Sequence, residues 1–113
     1  MRSAMVLNPG MLILAMACLG ALAGPAHAQW SQQQRAEFMG DCEPGCRNNP
    51  KVSAPYKDRC PRYCACVVEE GEKIFTASDY ADLDRDSRAG RDTPQLKRFS
   101  SLFPICNARV FGN

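Results

Sequence analysis

Beyond residue 28 this chain of 113 residues contains no histidine; the single one is His27. That absence excludes imidazole acid-base catalysis, serine or cysteine triads with a histidine base, histidine metal ligands and C-x-x-C-H haem attachment. No second long apolar run follows Gly24, so residues 29–113 offer no transmembrane segment of about 20 apolar residues. Neither sign of charge dominates: those residues carry 13 Lys and Arg against 12 Asp and Glu, net +1. Such a balance gives no argument for nucleic-acid or membrane binding. Alternation of apolar and polar residues never runs beyond four positions. A half-buried strand has nowhere to form.

The segment from Met1 to Ala28 reads instead as an export signal. Arg2 is the only charge before the apolar run Met11 to Gly24, and Ala26-His27-Ala28 has the small-residue spacing of a cleavage site. Cleavage after Ala28 leaves Gln29 to Asn113, 85 of the 113 residues, as one domain. Lipid attachment at Cys18 is a competing reading, but Leu14 stands one place too early and apolar Leu19 to Leu22 continue past the cysteine. A domain of this size buries only roughly 60% of its unfolded surface and has a thin margin of stability. Six cysteines remain once Cys18 is set aside. An even number in a short exported chain predicts three disulfides and an oxidising compartment, periplasmic or extracellular.

Helical spacing dominates the rest. Ser31 and Gln34 form a capping-box pattern, and Phe38, Met39 and Cys42 share a face, predicting a helix over Ser31 to Cys42. Pro44-Gly45 should stop or distort it, unless tertiary contacts carry a further turn to Cys46. Arg47 to Pro55 reads as a loop, with a turn from Pro55 before a second helix opened by Cys60-Pro61. There Tyr63, Cys64, Val67, Val68, Gly71, Ile74 and Phe75 make the core stripe. Thr76 to Asp79 starts a third helix with Tyr80, Leu83 and Ala81 as inward candidates, ended by Gly90. Thr93-Pro94 opens a fourth, which Pro104 kinks or restarts. The fold class is all-α: a small bundle of about four short helices, stapled by disulfides.

The pairs Cys42-x3-Cys46 and Cys60-x3-Cys64 flank the stretch from Arg47 to Arg59. Positions i and i+4 of a helix share a face, so two antiparallel segments zip together through Cys42 with Cys64 and Cys46 with Cys60. Cys66 projects about 200 degrees away from Cys64 around the helix. Its remaining partner is Cys106. This choice is one of 15 pairings open to six cysteines.

Other chemistries fit these residues less well. Cys64-Ala65-Cys66 is a C-x-C pair that could exchange disulfides, with Arg62 nearby to favour a thiolate, but no strand-to-helix turn precedes it. Four cysteines at this spacing could hold zinc, although an oxidising compartment favours bridges. Asp82-x-Asp84-x-Asp86 imitates half a calcium loop, yet Ser87 and Thr93 replace the glycine and the twelfth-position acid. Asp82 with Arg85 and Asp84 with Arg88 read better as surface ion pairs. Phe99, Phe103 and Phe111 raise the possibility of a lipid carrier, though core packing accounts for them as well.

The double C-x3-C spacing resembles the disulfide-clamped hairpins of small mitochondrial intermembrane-space chaperones, from Cys42 to Cys64, and only in geometry. A broader pattern carries further. Trp30-Ser31, Arg35, Phe38 and Cys42, then Tyr63-Cys64-Ala65-Cys66-Val67, Asp92-Thr93-Pro94-Gln95-Leu96 and a last cysteine resemble a family of small exported proteins of proteobacteria. The resemblance implies export and architecture, and brings no activity. Charge is distributed as a basic segment (Arg47 to Arg62), an acidic one (Glu69 to Asp86) and a basic end. Solvated helix faces explain this pattern; a polar docking surface for a protein partner is the sharper reading. The expectation is therefore a non-enzymatic binding or structural component of the cell envelope, without cofactor or metal. A thiol-disulfide oxidoreductase using Cys64 and Cys66 is the alternative from another class.

Overall fold

A computed structural model describes residues 29–112; the predicted signal and Cys18 lie outside them. Among the described residues five α-helices and one 3-10 turn occur in this order: α1 (Gln32–Arg47), the turn (Ala54–Arg59), α2 (Cys60–Ile74), α3 (Ala77–Arg88), α4 (Pro94–Ser100) and α5 (Leu102–Phe111). No strand occurs among the described residues, so the all-α expectation holds. The fourth helix restarts at Ser101 as α5, with Pro104 in its first turn, where a missing backbone N–H costs least.

The predicted starts are built by the predicted caps. Ser31 Oγ accepts from the Gln34 amide and the Gln34 side chain accepts from the Ser31 amide, both at 3.0 Å. Thr76 and Asp79 repeat the device on α3. Thr93 caps α4 through the Leu96 amide. After α3 the chain turns at Gly90, whose φ of 71° lies in the left-handed region that glycine enters without strain.

Helix α1 departs from the expectation that it ends near Cys42: it continues through Pro44 to Arg47. A proline inside a helix costs about 3 kcal/mol because it removes one backbone bond and crowds the carbonyl four residues back. Here that carbonyl belongs to Gly40, which is exposed with open space around it, so water can satisfy it. Bridges from Cys42 and Cys46 hold the chain on both sides of the proline.

Helix α2 is the central post, with α1 and α5 packed against it. Its apolar stripe buries Cys60, Cys64, Val67, Val68 and Gly71. Two predicted core residues depart from expectation: Ile74 is 38% exposed at the end of α2, and Ala81 is exposed on α3. The core centres instead on Trp30, which is 2% exposed among Val68, Phe75, Tyr80 and Leu83. Its indole Nε1 donates to the Phe75 carbonyl at 3.0 Å, and its backbone amide donates to Glu72 at 2.9 Å. Gly71 makes room for it: a Cβ there would lie 2.9 Å from two indole carbons.

Candidate functional site

All six cysteines of the described residues are bridged, in the predicted pairs. Cys42–Cys64 and Cys46–Cys60 join α1 to the start of α2, with Cα separations of 5.9 and 5.8 Å. Cys66–Cys106 ties the opposite side of α2 to α5, also at 5.8 Å. Cys60, Cys64 and Cys106 are fully buried, and Cys46 and Cys66 are nearly so. Cys64 and Cys66 therefore hold different helices and do not form a dithiol pair with each other. Arg109 donates to Cys66 Sγ at 3.3 Å and to Glu70 at 3.2 Å, covering this staple from the solvent side.

Because α1 and α5 lean on α2 from different sides, a groove opens between α1 and the arm formed by α3, α4 and α5. One stretch, about 280 Å³, lies among Phe38, Tyr80, Leu83, Leu96, Phe99 and Phe103, with Asp41 and Asp84 at its mouth. The next, about 310 Å³, runs past Cys42, Gly45 and Cys46 to Tyr63 and Asn49. Phe38, Asp41 and Phe103 line both stretches, so the two adjoin. Phe38, Phe99 and Phe103 are only half-buried and meet in edge-to-face pairs, Phe38–Phe99 at 5.9 Å and Phe99–Phe103 at 5.6 Å. Phe111 turns away and stacks on Tyr63 at 5.6 Å.

The mouth of the groove is electronegative. Burial first, and then the charges of Asp84, Glu37 and Asp41, push the Tyr80 phenol up to about 12. Arg88 spans the rim, 3.0 Å from Asp84 and 3.5 Å from Asp41. The guanidinium is itself held in its charged form, chiefly by the hydrogen bond to Asp84. Neither stretch is lined by lysine or arginine.

Three further ion pairs use two carboxylates of α2, and one of them, Arg109 with Glu70, joins the basic end to the acidic segment. Arg35 reaches Glu72 at 2.6 Å, and Arg109 and Lys73 both reach Glu70. The Arg35 hydrogen bond, with help from the Trp30 amide, holds the Glu72 carboxyl below its ordinary range. Asp82 pairs with Arg85 and Asp84 with Arg88, the surface pairs expected in place of a calcium loop. Among the described residues no group of three or more His, Cys, Asp or Glu is arranged to hold a metal ion.

Sequence pattern alone does not reveal the groove. Its aromatics are recognisable singly, but the gap between α1 and α5 arises from which face of α2 each staple uses. No protein-family model, curated protein or solved structure matches this chain.

Proposed function

We propose that this protein is an exported, non-enzymatic binding component of the cell envelope, periplasmic or secreted, whose disulfides fix a helical surface for a protein partner. The observation that carries the reading is that every described cysteine is spent in a staple, five of the six buried, while half-buried aromatic rings stay open along two adjoining stretches of groove. Disulfides persist in oxidising compartments, and the signal-like segment from Met1 to Ala28 points the same way. The resemblance to small exported proteobacterial proteins supports the same compartment.

A disulfide oxidoreductase needs a solvent-facing thiolate of lowered pKa; Cys64 is buried and committed to Cys42, which counts against that alternative. A small lipid carrier is favoured by one observation, the half-buried phenylalanines on the groove. The carboxylates at its mouth argue against a fatty acid.

Cell fractionation joined to an exchange assay tests the reading. The expected result is a chain beginning at Gln29 in the osmotic-shock fluid or the medium, with no acceleration of disulfide exchange in a scrambled substrate protein. Retention in the cytoplasm, or exchange activity lost on Cys66→Ser, would overturn it.

A further inference from the structure

We infer that the groove between α1 and the α3 to α5 arm seats a cationic amphipathic peptide segment of a partner protein, its apolar side chains on Phe38, Phe99 and Phe103 and a lysine or arginine between Asp41 and Asp84. The inference rests on the binding reading above and gives that partner a chemistry. The shape comes first. The two stretches, at about 280 and 310 Å³, fall just below and just inside the lower bound of the roughly 300–1,000 Å³ typical of small-molecule pockets. Adjoining at Phe38 and Phe103, they make a track for successive side chains rather than a chamber for one ligand. Apolar side chains at helical spacing lie in such tracks.

Charge selects the rest. Asp41 and Asp84 stand at the mouth with no lysine or arginine lining the walls, and the two carboxylates outnumber the single guanidinium that bridges them, so an incoming cation is favoured there over a carboxylate headgroup. The rim already holds a guanidinium: Arg88 reaches both carboxylates. Arg88 is 62% exposed, and an exposed pair of this kind contributes little to stability. An incoming cation can therefore share or replace it without disturbing the core.

The test titrates the purified, oxidised, exported protein with two synthetic helices of roughly 14 residues, about 21 Å long, one of leucine and lysine, the other of leucine and glutamate. Calorimetry should show saturable one-to-one binding of the lysine peptide only. The double variant D41N/D84N should weaken that binding about tenfold, the scale of two rim charges, and added salt should weaken it in the unsubstituted protein. Arg88→Gln should tighten it. The pair Ser87→Lys and Ser100→Lys, at exposed positions beside the groove, should abolish binding with all six cysteines still bridged. Equal binding of the glutamate peptide, or indifference to D41N/D84N, would overturn the inference. So would a fluorescent fatty acid filling the groove while the lysine peptide stays inert, or a second copy of this chain occupying it as a dimer. These outcomes leave the export and exchange assays unaffected, so failure of the groove assignment is separable from failure of the binding reading.

Discussion

Replacing both members of the Cys66–Cys106 bridge with alanine removes the one disulfide that, among the described residues, ties α2 to the C-terminal arm. The bridge spans 40 residues of sequence. For a loop of that size the chain-entropy relation gives about 3.9 kcal/mol at 25 °C. The spans of 22 and 14 residues closed by the other two bridges give about 3.4 and 3.0 kcal/mol. Those two are nested, since Cys46 and Cys60 lie inside the loop closed by Cys42 and Cys64, and each constrains chain that the other already holds. Losing either should cost less than its own loop suggests. The Cys66–Cys106 bridge has no such partner, so C66A/C106A should be the most destabilising of the three paired replacements. For a domain of this size 1 kcal/mol corresponds to roughly 4–8 °C in Tm, which puts the loss at about 15–30 °C. Urea unfolding of the three paired variants supplies the ranking, and limited proteolysis supplies the location. Residues 94–112 should become the first cleaved in C66A/C106A, and Cys66→Ser alone should free Cys106 and loosen the same arm. A loss below about 1 kcal/mol, or unchanged protease resistance of the arm, would refute the reasoning that this bridge holds it.

Gly71→Ala should destabilise by about 1–3 kcal/mol in urea unfolding, because its Cβ meets the Trp30 ring at 2.9 Å and the cost of overpacking exceeds the helix-propensity gain. A neutral or stabilising effect would show that Trp30 shifts freely. Glu72 carries the acid sensitivity of the N-terminal lock. Its folded pKa is depressed by Arg35 and the Trp30 amide, so its contribution is present above its ordinary value of 4.5 and is lost as pH falls through the folded value. Glu72→Gln should therefore flatten the fall in stability below pH 4.5, seen as converging Tm curves of the two proteins in acid; parallel curves would exclude this role. Thr93→Ala removes the cap on the Leu96 amide and should cost about 1 kcal/mol, whereas Asp82→Asn, in an exposed pair with Arg85, should change Tm by less than the cap variant does.

Local signals were legible wherever a single turn of chain contains both partners. The capping residues Ser31, Thr76 and Thr93 sit at their helix starts, and the ion pairs at i+3 and i+4 on α3 form as their spacing requires. The staples were legible for a related reason: C-x3-C sets two sulfurs on one face, and the step of about 200 degrees to Cys66 sends it to the other. Pro44 misled because its penalty is local while its compensation is not; an exposed Gly40 carbonyl and two bridges let α1 pass through it. Trp30 reads in sequence as a residue opening a helix, and its place in the core comes from Gly71 and Phe75, far along the chain. Ile74 follows the helical stripe in sequence, but at the last turn of α2 the covering falls to Phe75. The groove depends on three helix placements at once, and no window of sequence contains it.

The central claim is that all six cysteines are structural, with Cys64 and Cys66 holding opposite sides of α2. Intact mass of the exported protein, with and without thiol alkylation under native conditions, tests it most directly. The account predicts a chain lighter than the reduced form by six hydrogens and unchanged by the alkylating reagent, with non-reducing digests linking Cys42 to Cys64, Cys46 to Cys60 and Cys66 to Cys106. Two readily alkylated cysteines at 64 and 66 would contradict it and return the C-x-C to the reactive sites.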